Sequence, residues 1–151
     1  MQIRKAKEQD LSRIAEIFVF NNRINYFPIF KDSDYSFREL QVVSVISNYF
    51  EKKETFENLF VAEDCYIIKG FVEIRGNEIV KLYVDPFFQS GGIGKHLIEF
   101  AKENFQVNFL WALEKNTRAR SFYNRHGFFE NGEKQYEEGT TEYLLKLTLR
   151  P

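Results

Sequence analysis

The chain has 151 residues, 44 % hydrophobic and 28 % charged, which suits one domain (residues 1–151) with one sizeable core. Its 21 basic and 22 acidic residues give a formal net charge of −1 with no block of like charge, which argues against a nucleic-acid partner. The single cysteine, Cys65, excludes an intramolecular disulfide and cysteine-rich zinc sites, and two histidines without a nearby carboxylate pattern predict no metal.

The first ten residues, MQIRKAKEQD, lack the apolar stretch of a signal peptide, and no apolar run approaches the ~20 residues that span a bilayer. A cytoplasmic protein without a membrane partner is expected. Residues 2–6 read as a short strand, and Asp10 can cap a helix carrying Leu11, Ile14, Ala15 and Phe18 at helical spacing. From Asn21 to Phe37 that pattern breaks into a segment rich in Asn, Asp and aromatic residues. A second helix, about 38–53, would place Leu40, Val43 and Ile46 on one face. The periodicity then becomes extended: strands at 59–63, 66–75 and 78–84, joined by turns at Asp64-Cys65 and Gly76-Asn77, imply antiparallel hairpins. Pro86 stops the third of them.

A helix follows from about Gly92 to Asn104 with Leu97, Ile98 and Ala101 inward. Residues 108–113 (NFLWAL) form a strand and 117–126 a helix, with Gly127 as its C-cap glycine. Two strands, about 129–135 and 142–149, flank a turn near Glu138-Gly139. The order is that of a mixed α/β domain.

The segment Val84-Asp85-Pro86-Phe87-Phe88-Gln89-Ser90-Gly91-Gly92-Ile93-Gly94-Lys95 is the most informative. A strand halts at a proline, a glycine-rich turn follows, and a helix starts. Without side chains at Gly91, Gly92 and Gly94, successive N–H groups can converge on one anion, helped by the helix dipole and Lys95. A phosphate or pyrophosphate suits such a site; a glycine turn chosen for conformation alone is the other local reading. A Walker loop would need glycine at Gln89 and Ser or Thr at His96, and a dinucleotide fingerprint a third glycine at Leu97. Both patterns fail.

What does match is the acetyl-CoA loop of the GNAT superfamily of N-acetyltransferases, here Gln89-Ser90-Gly91-Gly92-Ile93-Gly94 after a strand ending Val-x-Pro. A second stretch, Asn116 to Phe128 (NTRARSFYNRHGF), resembles the family's Asn-x-x-Ala-x-x-Phe-Tyr-x-x-x-Gly-Phe and follows in the expected order. The resemblance covers nearly the whole chain and is weakest at 21–38 and 129–151. It implies a twisted, mostly antiparallel sheet of about seven strands, splayed into a V, with about four helices. The cleft would lie between 78–84 and 108–113. By the same resemblance, backbone groups of Leu82, Tyr83 and Val84 pair with the pantetheine arm of acetyl-CoA. The pyrophosphate sits on the amides of Gln89, Ser90, Gly91, Gly92, Ile93, Gly94 and Lys95, and Asn116 contacts the cofactor near its pantetheine.

Tyr123 matches the family's general acid. An amine attacks the thioester carbonyl, charge builds on the oxygen, and coenzyme A leaves as a thiolate. A thiol pKa near ~8.5 and a tyrosine pKa near ~10 are close enough for proton donation. A backbone N–H of the kinked strand, such as that of Val84, can stabilise the oxygen. Glu78 falls where histone-type members keep a basic glutamate, Glu73 could face the same cleft, and ordered water is a third route for the amine proton. Glu114 reads as structural. Trp111 stands where ribosomal-type members have a glutamate.

The resemblance puts the acceptor between residues 21–38 and 135–141. Five aromatics with Asp32 and Asp34, facing Tyr136, Glu137 and Glu138, suit a cationic amine, on a small molecule or a peptide; the same aromatics could close the core or form a homodimer face. A non-catalytic acyl-CoA sensor on the same fold is the competing class, against which the intact Tyr123 argues.

Overall fold

A computed structural model describes all residues, 1–151. Seven strands form one sheet in the order β1-β2-β3-β4-β5-β7-β6. They are β1 (Gln2–Lys5), β2 (Leu59–Asp64), β3 (Ile67–Arg75), β4 (Glu78–Val84), β5 (Phe109–Leu113), β6 (Phe128–Tyr136) and β7 (Tyr143–Leu149). Every neighbouring pair is antiparallel except β4 with β5.

That parallel pair is the feature that makes a site. It holds only at Glu78↔Phe109 and Ile79↔Leu110, after which the strands part. A bulge in the β3–β4 register between Glu73 and Ile74 lies just where they diverge. Bulges add a residue to one strand and bend it, so β4 leans toward β3 and away from β5.

Helices cover both faces of the sheet. α5 (Ile93–Phe105) and α6 (Thr117–Arg125) cover one, burying Val72, Ile79, Leu97, Ile98, Leu110 and Tyr123. Gly70 permits the close approach of α5, since a Cβ there would stand 2.9 Å from the Tyr83 carbonyl oxygen and 3.2 Å from both Ile93 and Leu97. The other face is covered by α1 (Leu11–Asn25) and the short helices α2 (Phe27–Phe30), α3 (Val42–Val45) and α4 (Lys53–Phe56). There Ile14, Ile17, Phe50, Val61 and Phe71 form a second core. No helix is long and apolar enough to cross a membrane.

Three expectations are corrected. Asp10 does not cap α1; its carboxylate accepts from the Lys7 N–H at 2.8 Å and pairs with Arg4 at 2.8 Å. The helical pattern does not break at Asn21, because α1 runs to Asn25 and Pro28 then opens α2. The single helix over 38–53 is divided. Wide turns with i→i+5 hydrogen bonds, Leu40 N–H to Tyr35 and Glu51 N–H to Ile46, rotate its faces. Val43, expected inward, is 77 % exposed, whereas Val42, Val45 and Tyr49 pack on the core. Six helices therefore form instead of about four, three of them a single turn long.

Candidate active site

The cleft between the parted strands has a volume of ≈ 350 Å³ and is closed by α1, the glycine loop, α5 and α6. Strand alternation decides which backbone groups it sees. The Asp85 N–H donates to the Lys69 carbonyl on β3, so the Tyr83 groups also point to β3 and those of Leu82 and Val84 point into the cleft. Tyr83 lines the cleft through its side chain, and its hydroxyl lies 3.0 Å from that of Tyr26. Leu82 and the Val84 N–H thus present a strand edge that no neighbouring strand pairs.

That edge is held from behind. The buried Asn21 donates from Nδ2 to the carbonyls of Ile17 and Val84, each at 2.9 Å. Gln89 Nε2 reaches the same Val84 carbonyl at 3.2 Å and Asn21 Oδ1 at 3.4 Å. The first residue of the glycine loop is thereby fastened to the end of β4. Asp85 adds a second clamp: it accepts from the Phe87 N–H at 2.8 Å and pairs with Arg13 of α1 at 2.8 Å.

The loop has the conformation that its glycines permit. Gly92 is left-handed at φ 84° just before α5, and Ser90 takes φ 69° despite its side chain. Gly94 serves the approach of α6, because a Cβ there would stand 3.2 Å from the Phe122 ring. His96 bonds through Nδ1 with the Gly92 carbonyl at 2.7 Å, a packing and capping role. Gly91 stands outside the cleft and lines a neighbouring hollow with Met1, Lys69 and His96.

Asn116 caps α6, its Oδ1 accepting from the Ala119 N–H at 3.2 Å, and lines the cleft. Tyr123 is 9 % exposed and packs edge-on against Phe122 and Phe128. Burial, with the Tyr26 phenol next in effect, pushes its hydroxyl well above the usual tyrosine range. The group is therefore held in its protonated form.

Glu78 lies elsewhere. It sits at the base of the fork, where β4 still pairs with β5, ~20 Å along the strand from Val84, and does not line the cleft. Burial first, and the Glu73 carboxylate next, push its carboxyl up. Glu73 is fully buried, and both of its oxygens are engaged: Tyr49 donates to one at 2.6 Å and Arg75 to the other at 2.6 Å. Lys81 donates to the Tyr49 hydroxyl at 3.1 Å, and burial lowers the pKa of its ammonium. Glu73 is occupied as the buried centre of this network.

Residues 21–38 and 135–141 come within electrostatic reach of each other. Tyr26, raised chiefly by burial, and Tyr35, likewise, both feel the negative charge of Glu137. Sequence reasoning missed Asn21, Arg118 and Arg125 as cleft residues. Asn21 was hidden by the supposed break in the helix, and the two arginines occupy variable positions of the Asn116–Phe128 pattern. No group of three His, Cys, Asp or Glu side chains is placed to hold a metal ion.

This geometry has relatives. Residues 32–149 match the family described as Acetyltransferase (GNAT) domain. An uncharacterized N-acetyltransferase of Archaeoglobus fulgidus is 31 % identical over 141 residues, covering 82 % of this chain and 89 % of the relative. One from the pepI 3′ region of Lactobacillus delbrueckii is 34 % identical over 52 % of this chain, which spans only half (50 %) of that relative's length. Among solved structures, the PaiA N-acetyltransferase of Thermoplasma acidophilum in complex with coenzyme A superposes with TM-score 0.65 at 20 % identity, covering 97 % of this chain and 98 % of that one. With the parted strands, the glycine loop and the match over residues 32–149 all in agreement, the chain belongs to the GNAT acetyltransferase domain family.

Proposed function

We propose that the protein transfers an acetyl group from acetyl-CoA to a primary amine by direct attack, both substrates being bound together. The observation that carries this reading is the edge of Leu82 and the Val84 N–H, which no strand pairs and which faces a cleft closed by the glycine loop on one side and Tyr123 on the other. The residues fit the group: a strand edge for the amides of pantetheine, a left-handed glycine before a helix for the diphosphate, and no carboxylate in the cleft.

Acetyl-CoA supplies an activated thioester when bound. The Leu82 and Val84 N–H groups hold the pantetheine and the acyl oxygen, and oriented amides in a dry site stabilise the charge that develops there. Asn116 keeps its amide nitrogen for the pantetheine while its oxygen caps α6. Asn21 holds the Val84 carbonyl and so steadies the end of the strand whose Leu82 and Val84 N–H groups face the cleft. Tyr123 keeps a proton at its hydroxyl, ready for the departing sulfur.

The amine enters from the α1 side, between Tyr26 and Glu137, where aromatic faces and a carboxylate favour a cation. Glu78, at the base of the fork and outside the cleft, takes the amine's proton through a relay of ordered waters. The test is thiol release from acetyl-CoA with polyamines and lysine peptides. Amine-dependent release in the unaltered protein is expected; cofactor binding with no transfer to any amine would favour the sensor class instead.

A further inference from the structure

Two opposite charges lie within reach of each other on the α1 side of the sheet without pairing. Lys81 and Tyr83 stand two apart on β4 and so share that face. Phe18 of α1 touches both: its ring centre is 5.6 Å from the Lys81 ammonium and 5.5 Å from the Tyr83 ring, edge-on. Of the three N–H donors of the ammonium, one goes to the Tyr49 hydroxyl at 3.1 Å, which leaves two for a ligand. The opposite charge is Glu137, the residue after β6, whose carboxylate is felt by Lys81, Tyr26 and Tyr83 alike. Neither Lys81 nor Glu137 belongs to a salt bridge.

A third group beside them lacks a partner. Phe18, Asn22 and Tyr26 follow one another at intervals of four along α1 and lie on one stripe. Tyr83 meets the Phe18 ring at one end of that stripe and the Tyr26 hydroxyl at the other, so Asn22 stands between these two contacts. Asn22 is 4 % exposed, and its Oδ1 has no hydrogen-bond partner. A buried acceptor without a donor is costly, and an incoming N–H removes that cost.

An ammonium and a carboxylate held apart, with an orphan amide oxygen beside them, complement a molecule that carries both charges. A polyamine would bring a second cation against Lys81. An amine that also bears a carboxylate gives its N–H groups to Glu137 and Asn22 and its carboxylate to Lys81. Resting on the acetyl-transfer reading above, we infer that the acceptor is an amino acid and that Lys81 selects it by binding its carboxylate.

Acetyl transfer to matched pairs tests this: lysine against cadaverine, tyrosine against tyramine and leucine against isoamylamine, with spermidine added. The best amino acid should exceed its decarboxylated partner at least about tenfold in kcat/KM. Lys81→Met keeps an unbranched apolar stem against Phe18 and Tyr49, and circular dichroism checks its fold. In that variant the pair should converge to within about twofold, the loss falling on the amino acid. Glu137→Gln should slow both members of the pair, since both carry the amine; slowing of the amino acid alone would overturn the assignment of the charges. Decarboxylated amines or spermidine used as well as every amino acid, or a preference that survives Lys81→Met, would overturn the inference and leave acetyl transfer standing. No transfer to any amine would overturn both.

Discussion

The Asn21 amide donates to the Val84 carbonyl at 2.9 Å, joining the first helix to the end of the strand that bends away from the fork. Asn21 is 2 % exposed and donates to Ile17 as well, so the contact is an anchor inside the protein. Replacing Asn21 by Leu removes the shorter of two donors to the Val84 carbonyl and leaves Gln89 alone at 3.2 Å, which costs about 0.5–1.5 kcal/mol. Acetyl-CoA affinity should fall with it, because Gln89 and the glycine loop lean on the same carbonyl. Urea unfolding and calorimetry on one variant measure both effects.

Tyr123→Phe keeps the ring and removes the proton. Turnover should drop by about 10²–10⁴, the range of general acid catalysis, with acetyl-CoA affinity retained. Unchanged turnover would take Tyr123 out of the acid role.

Glu78 and Glu73 can be separated by readout. Glu78→Gln should lower the rate and remove the acid limb of the pH–rate profile. That limb lies above the ordinary carboxylate pKa, because burial raises Glu78 and the base works only when deprotonated. Glu73→Ala should instead cost stability, about 1–3 kcal/mol, since it leaves the Tyr49 hydroxyl without its acceptor and unpairs Arg75, whose side chain is 39 % exposed.

Alkaline pH should weaken the fold through three of its tyrosines. Burial raises Tyr26, Tyr83 and Tyr123 above their unfolded value. The unfolded chain then loses these protons first, so their stability contribution is full below about pH 10 and is lost above it. Tyr83→Phe should flatten that decline in a series of melting temperatures against pH.

The strands and both motif helices were legible because period-two alternation and glycine–proline punctuation are local signals. Residues 59–63 and 78–84 needed only their own composition to be read. The α1 face was legible only in part. Whether Val43 or Val42 turns inward depends on i→i+5 turns that spacing alone does not announce, and α1 outlasts Asn21 because the Asn21 side chain finds a tertiary partner in Val84. Within the site, the loop came from local pattern and Tyr123 from the likeness of residues 116–128 to the family's second motif. The division of labour between Leu82, Tyr83 and Val84 came from the β3 hydrogen bond of Asp85. The engagement of Glu73 required Tyr49, 24 residues away, to be seen beside it.

The most direct test of the account is titration of the purified protein with acetyl-CoA, with ATP and NAD as controls. It predicts selective acetyl-CoA binding at roughly micromolar affinity, about −8 kcal/mol. No binding of acetyl-CoA, or tighter binding of ATP or NAD, would contradict it.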